Sequence, residues 1–100
     1  MFLILWTYRV RPTEAAQFEK HYCTIGTWAA FFRNGKGYLG TQLLRDCDDE
    51  HVFVTIDRWE SQAAYEAFRT THSEEYKRID ESCDKLTVSE THLGNLDIPA

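Results

Sequence analysis

Four side chains in the second half of the chain are candidates for acid–base chemistry. Tyr65, His72 and Tyr76 fall on the apolar side of a predicted helix, and Arg69 lies beside them. A histidine in apolar surroundings titrates near neutral pH and can act as a base, while phenol and guanidinium groups can stabilise an oxyanion. We therefore predict a catalytic group of His72, Tyr76, Tyr65 and Arg69. The alternative is that His72 is a hydrogen-bonded histidine of the core or its rim, and that Arg69 is solvated.

Aromatic residues are the candidates for the walls of a binding site. A concentration of aromatic rings suits a planar aromatic ligand, which such rings hold by stacking and apolar contact. Ordinary core packing is the alternative explanation for each ring. The predicted substrate-binding residues are Trp59, Phe68, Trp28, Trp6 and Tyr8.

The sequence lacks the motifs that are typical of metal sites, phosphate-binding loops and disulfide frameworks. The histidines form no His-x-x-x-His pair, and the acidic run 46–51 lacks the glycine that a calcium loop needs at its sixth position. The glycines at 35 and 37 have no Walker spacing and follow no predicted strand. Cys23, Cys47 and Cys83 are odd in number and form no Cys-x-x-Cys motif. We expect reduced thiols, no metal and no cofactor.

Charge and hydropathy narrow the choice of partners. The chain has 100 residues and a formal net charge of −5, which disfavours nucleic acid because an acidic field repels phosphates. Apolar runs stay well below the ~20 residues of a membrane-spanning helix, and the apolar start is too short for a signal peptide. We therefore expect a cytoplasmic protein with one domain over residues 1–100, whose core spans about 2–94 and whose tail spans 95–100.

The hydrophobic pattern predicts six elements in the order βαββαβ. Strands are predicted over 2–11, 38–45, 51–59 and 86–93, one long helix from Pro12 to the Asn34–Gly37 turn, and a second helix from the cap Ser61 to Cys83. The first helix would bury a stripe that includes Ile25. The second would kink near residues 70–73, with Ser73 as a second cap.

This order predicts an α+β, ferredoxin-like fold, in which a four-stranded antiparallel sheet carries both helices on one face. The first and third strands are apolar on both faces. A single subunit would leave one of those faces wet, and large exposed apolar patches mark interfaces. We therefore predict a homodimer in which two sheets pack together.

The run from Thr55 to Phe68, TIDRWESQAAYEAF, resembles the signature of antibiotic biosynthesis monooxygenase-type domains of the dimeric α+β barrel superfamily. The resemblance lies in a strand that ends in Trp-Glu-Ser and a helix with an alanine and an aromatic residue. It implies a homodimeric barrel with a pocket between sheet and helices in each subunit. Some members oxidise polycyclic phenols with dioxygen and without metal or flavin.

The resemblance leads to the expected function, a cofactor-independent monooxygenase of a small aromatic phenol or hydroquinone. His72 would abstract the proton, and Tyr65, Tyr76 or Arg69 would stabilise the oxyanion. The alternative is a non-enzymatic dimer that binds a small ligand or a partner. A heme-handling protein is a third possibility, although Phe68 and Arg78 stand where the heme-degrading branch carries a tryptophan and an iron-ligating histidine. Many monooxygenase-type members carry a histidine at the position of Phe68.

Overall fold

The computed structural model describes residues 1–99 and forms a two-layer α+β fold. Its strands are β1 (Phe2–Val10), β2 (Tyr38–Arg45), β3 (Val52–Trp59) and β4 (Thr87–Asp97); its helices are α1 (Ala15–Tyr22), α2 (Thr27–Phe32), α3 (Gln62–Thr71) and α4 (Ser73–Cys83). The strands pair antiparallel in the order β2-β3-β1-β4. The ferredoxin-like prediction is confirmed. Within residues 1–99, no helix is both long and apolar enough to cross a membrane.

Strand alternation divides the sheet into an inner face toward the helices and an outer face. On β1, Phe2, Ile4 and Tyr8 are buried on the inner face, while Leu3 and Leu5 point outward and stay partly exposed. The inner face of β3 comprises Phe53, Thr55, Asp57 and Trp59, of which all but Asp57 are buried. Aromatic rings from the helices complete the core against these two strands.

The prediction of one continuous first helix was wrong. α1 ends at Tyr22, Cys23 has extended backbone angles, and α2 begins only at Thr27. The β-branched pair Thr24 and Ile25 followed by a glycine disfavours helix, and Ile25, assigned to the buried stripe, is 79% exposed. A Cβ at Gly26 would lie 2.7 Å from the Lys20 carbonyl oxygen, so this close approach requires glycine.

The second helical segment follows the sequence prediction more closely. Ser61 is the N-cap of α3, since its hydroxyl accepts a hydrogen bond from the Ala64 amide at 3.1 Å. The predicted kink is present and lies at His72, which ends α3 and begins α4. The second cap is therefore one residue earlier than predicted, at His72 rather than Ser73, and its side chain makes no capping hydrogen bond.

β4 is longer than the sequence pattern indicated. Residues 95–97, predicted as tail, pair with β1, where Asn95 is opposite Ile4 and Asp97 is opposite Phe2. Leu93 is the extra residue of a bulge in this pairing, and Gly94 follows it with φ +154°. The bulge interrupts the alternation that the strand prediction relied on. The predicted tail also included Ala100, which lies outside the described residues.

Replacing Gly35 should strain the contact between the end of α2 and the core. A Cβ there would lie 2.6 Å from Phe68 Cδ1 and 2.8 Å from Trp59 Cη2, and both rings are buried. We expect Gly35→Ala to lower the free energy of unfolding by about 1–3 kcal/mol in urea denaturation. Lys36→Ala, at the exposed neighbour, should change it by less than about 0.5 kcal/mol. Equal effects of the two variants would contradict this packing.

Candidate functional site

A cavity of about 100 Å³ lies between the inner face of the sheet and the helices. Aromatic rings, hydroxyls and carboxylates form its wall, which consists of Trp6, Tyr8, Tyr22, Trp28, Phe32, Thr41, Thr55, Asp57, Tyr76, Asp80 and Glu90. An engineered protein cavity of about 150 Å³ holds benzene. The buried part of a ligand is therefore limited to about a single ring unless the walls move.

Four of the residues predicted as site residues line this cavity. Trp6 and Tyr8 come from the inner face of β1, Trp28 from α2 and Tyr76 from α4. The rings of Trp28 and Tyr76 lie 5.0 Å apart and tilted by 60°, an arrangement that joins the two helices. The structure therefore brings these four rings together around one space.

Trp59 and Phe68, also predicted as substrate-binding, belong to the packed core. Trp59 is completely buried, Phe68 is 4% exposed, and their ring centroids are 5.3 Å apart. Neither ring is part of the cavity wall. Their positions support the end of β3 and the start of α3.

Arg69 and Tyr65 adjoin the cavity through Tyr76. The Arg69 guanidinium carbon lies 3.6 Å from the centroid of the Tyr76 ring, and its Nη1 donates a hydrogen bond to the Tyr65 hydroxyl at 2.9 Å. Burial raises the pKa of Tyr76, so its phenol is neutral at physiological pH. The predicted cluster of Tyr65, Arg69 and Tyr76 is thus a contact network in which only Tyr76 lines the cavity.

His72 lies apart from these residues, at the junction of α3 and α4. Its ring is 4.6 Å from that of Phe68 and meets Phe31 edge-on at 6.0 Å. It borders a separate surface groove, which it shares with Gly35, Lys36 and other residues. The structure does not place His72 and Tyr76 around the same space.

Asp57 is the titratable group that the sequence analysis missed. It lies on the inner face of β3, where Thr41 Oγ1 donates a hydrogen bond to its Oδ1 at 2.6 Å. Since the single Thr41 hydroxyl proton is used there, Tyr38 donates its own hydroxyl proton to Thr41 Oγ1 at 2.5 Å. Burial raises the pKa of Asp57 to about 6, and the Thr41 hydrogen bond opposes that rise. A carboxylate with this pKa is a stronger base than a solvated one.

Two further carboxylates complete the cavity wall. Burial raises the pKa of Asp80 on α4 and of Glu90 on β4, and the negative charges of neighbouring carboxylates add to both shifts. Arg69 partly offsets the shift at Asp80. Among residues 1–99, no three side chains of His, Cys, Asp or Glu are grouped so that they could hold a metal ion. The carboxylates are therefore spread around the space.

Hydroxyl groups supply the remaining polar contacts of the cavity. The Tyr8 and Thr55 hydroxyls are hydrogen-bonded to each other at 3.0 Å. Burial raises the pKa of Tyr8, which keeps this phenol protonated as well. The cavity thus combines carboxylates, of which Asp57 is the most buried, with neutral hydroxyls that can donate hydrogen bonds.

The raised pKa of Asp57 should appear in the pH dependence of stability. Its folded-state pKa of about 6 exceeds the ordinary value of 3.8, so the stability that it contributes at low pH is lost as the pH rises from about 4 to 6. Asp57→Asn removes the ionisation. We therefore compare the free energy of unfolding of the variant with that of wild type at each pH. We expect this difference to favour the variant by about 2–3 kcal/mol more at pH 8 than at pH 4.

Urea denaturation at both pH values and one protein concentration measures this difference. Asp48→Asn, in the exposed β2–β3 turn, is the matched control and should show no such difference. The same shift in both variants would contradict the assignment to Asp57.

Comparison with known proteins assigns this chain to a family. The sequence profile described as antibiotic biosynthesis monooxygenase matches residues 1–82. No match was found among curated proteins.

Two solved structures illustrate the structural similarity. PA3566 from Pseudomonas aeruginosa is 24% identical, with a TM-score of 0.70 over 99% of this chain and 94% of that one. SnoaB from Streptomyces nogalater, a cofactor-independent oxygenase solved as its N63A mutant, is 20% identical, with a TM-score of 0.81 over 99% of this chain and 93% of that one. At these identities the structures support the fold alone, whereas the profile covers most of the chain: the protein belongs to the antibiotic biosynthesis monooxygenase family.

Proposed function

We propose that the protein is a cofactor-independent monooxygenase that oxidises a small aromatic phenol or hydroquinone in the cavity between sheet and helices. The observation that carries the proposal is the Asp57 carboxylate, a base of raised pKa that faces an aromatic-walled cavity. Membership of the family and the fold shared with SnoaB, a cofactor-independent oxygenase, agree with it.

The first step of the proposed reaction is a proton transfer. Asp57 takes the hydroxyl proton of the phenol, which leaves a neutral carboxylic acid and a phenolate. The raised pKa of Asp57 favours this direction, and the Thr41 hydrogen bond orients the carboxyl group. The neutral phenols of Tyr8 and Tyr76 are the donors that would stabilise the phenolate oxygen.

The second step is the reduction of dioxygen by the electron-rich ring. The phenolate passes electrons to dioxygen, and one oxygen atom replaces a ring hydrogen and ends as the carbonyl of a quinone. The other oxygen atom takes that ring hydrogen and the proton held by Asp57 and leaves as water, which restores the carboxylate. For a simple phenol, one molecule of dioxygen accounts for all four electrons and both oxygen atoms. Trp6 and Trp28 would hold the ring and exclude water during these steps.

His72 is the other candidate base, for a substrate that binds in the groove beside it. We favour Asp57 because it shares its cavity with the aromatic rings and with the neutral phenols of Tyr8 and Tyr76. A non-enzymatic binding protein is the second candidate function. The volume of about 100 Å³ favours it, because this is less than the roughly 150 Å³ that hold benzene and a bound ring would stay partly open to water.

Oxygen consumption with hydroquinone and simple phenols tests the enzymatic proposal. We expect turnover that requires no added metal or flavin, and we expect Asp57→Asn to lower kcat by about 10²–10⁴-fold, as for loss of a general base. Asp48→Asn, the exposed control, should retain wild-type kcat. If His72→Ala abolishes turnover and Asp57→Asn does not, the base has been misassigned. If no phenol supports oxygen uptake above the protein-free rate, the binding function is favoured instead.

We also propose that the protein is a cytoplasmic homodimer assembled through the outer face of the sheet. Members of this family are commonly dimeric. The outer face carries apolar side chains that the helices do not cover; Leu44 is 45% exposed and Leu96 is 51% exposed. The apolar residues of this face are Leu3, Leu5, Leu44, Val52, Val54, Ile56 and Leu96.

A lysine at the centre of the outer face should prevent dimer formation. Val54 lies on β3, between its partners Thr7 and Leu44 on the neighbouring strands, so Val54→Lys would bury two charges at a two-fold interface. By analytical ultracentrifugation at micromolar concentration, we expect a wild-type dimer and a Val54→Lys monomer. Glu66→Lys, on the exposed side of α3, should remain dimeric. A wild-type monomer would contradict the proposal.

A further inference from the structure

The charged side chains of the cavity wall are all acidic. Three carboxylates line the cavity, from Asp57, Asp80 and Glu90, and none of its described lining residues is a lysine or an arginine. The rest of the wall consists mainly of aromatic rings, whose faces carry partial negative charge. The cavity therefore presents negative potential both from formal charges and from ring faces.

The three carboxylates approach the space from different elements. Asp57 comes from the central strand β3, Asp80 from α4 and Glu90 from the edge strand β4, where it is paired with Tyr8. They do not form a group that could hold a metal ion among residues 1–99. The wall therefore does not suit a metal ion, which needs several ligands at once, whereas an organic cation needs only the attraction of separate carboxylates and aromatic rings.

The basic residue next to the cavity is already engaged. Arg69 lies against the ring of Tyr76 and donates its hydrogen bond to Tyr65. It partly offsets the charge of Asp80, while Asp84 reinforces the negative field at both Asp80 and Glu90. Asp57 accepts a side-chain hydrogen bond from Thr41 alone among the described residues, and no cation neutralises it.

We infer that the cavity selects an organic cation, namely an aromatic molecule that carries a protonated amine. With the ring held by Trp6 and Trp28 and the phenol at Asp57, the ammonium group would lie toward Asp80 and Glu90, where Coulomb attraction and contact with the aromatic wall act together. The inference names the substrate class for the proposed oxygenase and rests on that proposal for the cavity as the ligand site. An anionic aromatic molecule would be repelled.

The amine also fits the proposed reaction. Proton transfer to Asp57 leaves a negative phenolate in a space that already holds the carboxylates of Asp80 and Glu90. A positive charge on the same substrate would compensate that phenolate without any basic residue in the wall. An amino-substituted phenol is therefore the substrate class that the wall favours over an uncharged phenol.

Equilibrium binding of three probes of similar shape tests the inference without reference to turnover. Tryptophan fluorescence, to which Trp6 and Trp28 in the wall contribute, is titrated at pH 7.5 with benzylamine, benzyl alcohol and benzoate. We expect benzylamine to bind at least about tenfold more tightly than benzyl alcohol, and benzoate more weakly than either. Added salt should weaken benzylamine binding more than benzyl alcohol binding.

A variant of one wall carboxylate, compared with a matched surface variant, tests whether the preference for benzylamine arises in the cavity. Glu90→Gln should weaken benzylamine binding about three- to tenfold and affect benzyl alcohol binding much less, because the side chain keeps its shape and loses only its charge. Glu74→Gln removes the same charge from the exposed surface of α4, outside the cavity wall, and should change neither affinity.

The possible failures separate the two proposals. If benzyl alcohol binds as tightly as benzylamine, or if Glu90→Gln and Glu74→Gln act alike, the preference for cations is wrong and the oxygenase proposal stands. If none of the three probes binds while a phenol still supports oxygen uptake, catalysis lies elsewhere and this inference fails with the cavity assignment. If neither binding nor oxygen uptake occurs, both proposals fail.

Discussion

Strand alternation turns the carboxylate of Asp57 toward the aromatic core, and the surrounding structure accommodates that charge. A carboxylate on the inner face of a central strand cannot reach solvent through the outer face of the sheet. It is stabilised by the Thr41 hydroxyl, which Tyr38 in turn orients, and by the open space in front of it. Burial still raises its pKa to about 6. A cavity at this place thus lowers the cost of the charge and exposes a base to any molecule that enters.

Much of the fold could be predicted because its signals are local. The four strands, the Ser61 cap and the kink near His72 follow from alternation, capping preference and a cluster of poor helix formers. The first helix could not be predicted as two pieces from periodicity alone, since Ile25 fits the apolar stripe and is exposed only because the chain breaks before it. Gly26 was the available signal. The bulge at Leu93 shifts the register of β4, and the only nearby residue in the sequence that could have indicated it is Gly94.

The site was harder to predict because it depends on which residues face one another across elements. His72 and Tyr76 share a helical stripe in the sequence, yet the kink at His72 separates their surroundings. Asp57 lay inside the run that identified the family, and its alternation with Phe53 and Trp59 placed it on the same face. Which face of β3 the helices would cover depends on pairing with β1, which is a long-range property. A histidine can be recognised as a candidate base from its ordinary pKa near neutrality. Asp57 becomes one only because burial raises its pKa, which the sequence does not show.

A crystal structure of the protein with 4-(2-aminoethyl)phenol would show whether a ligand binds in the cavity with its phenol group at Asp57. This molecule carries a phenol and an amine on one ring. We expect the ring between Trp6 and Trp28, the phenol hydroxyl within hydrogen-bond distance of the Asp57 carboxylate, and Tyr38 and Thr41 unmoved. A ring in the groove beside His72, with the cavity beside Asp57 unchanged, would show that the ligand site is not the cavity.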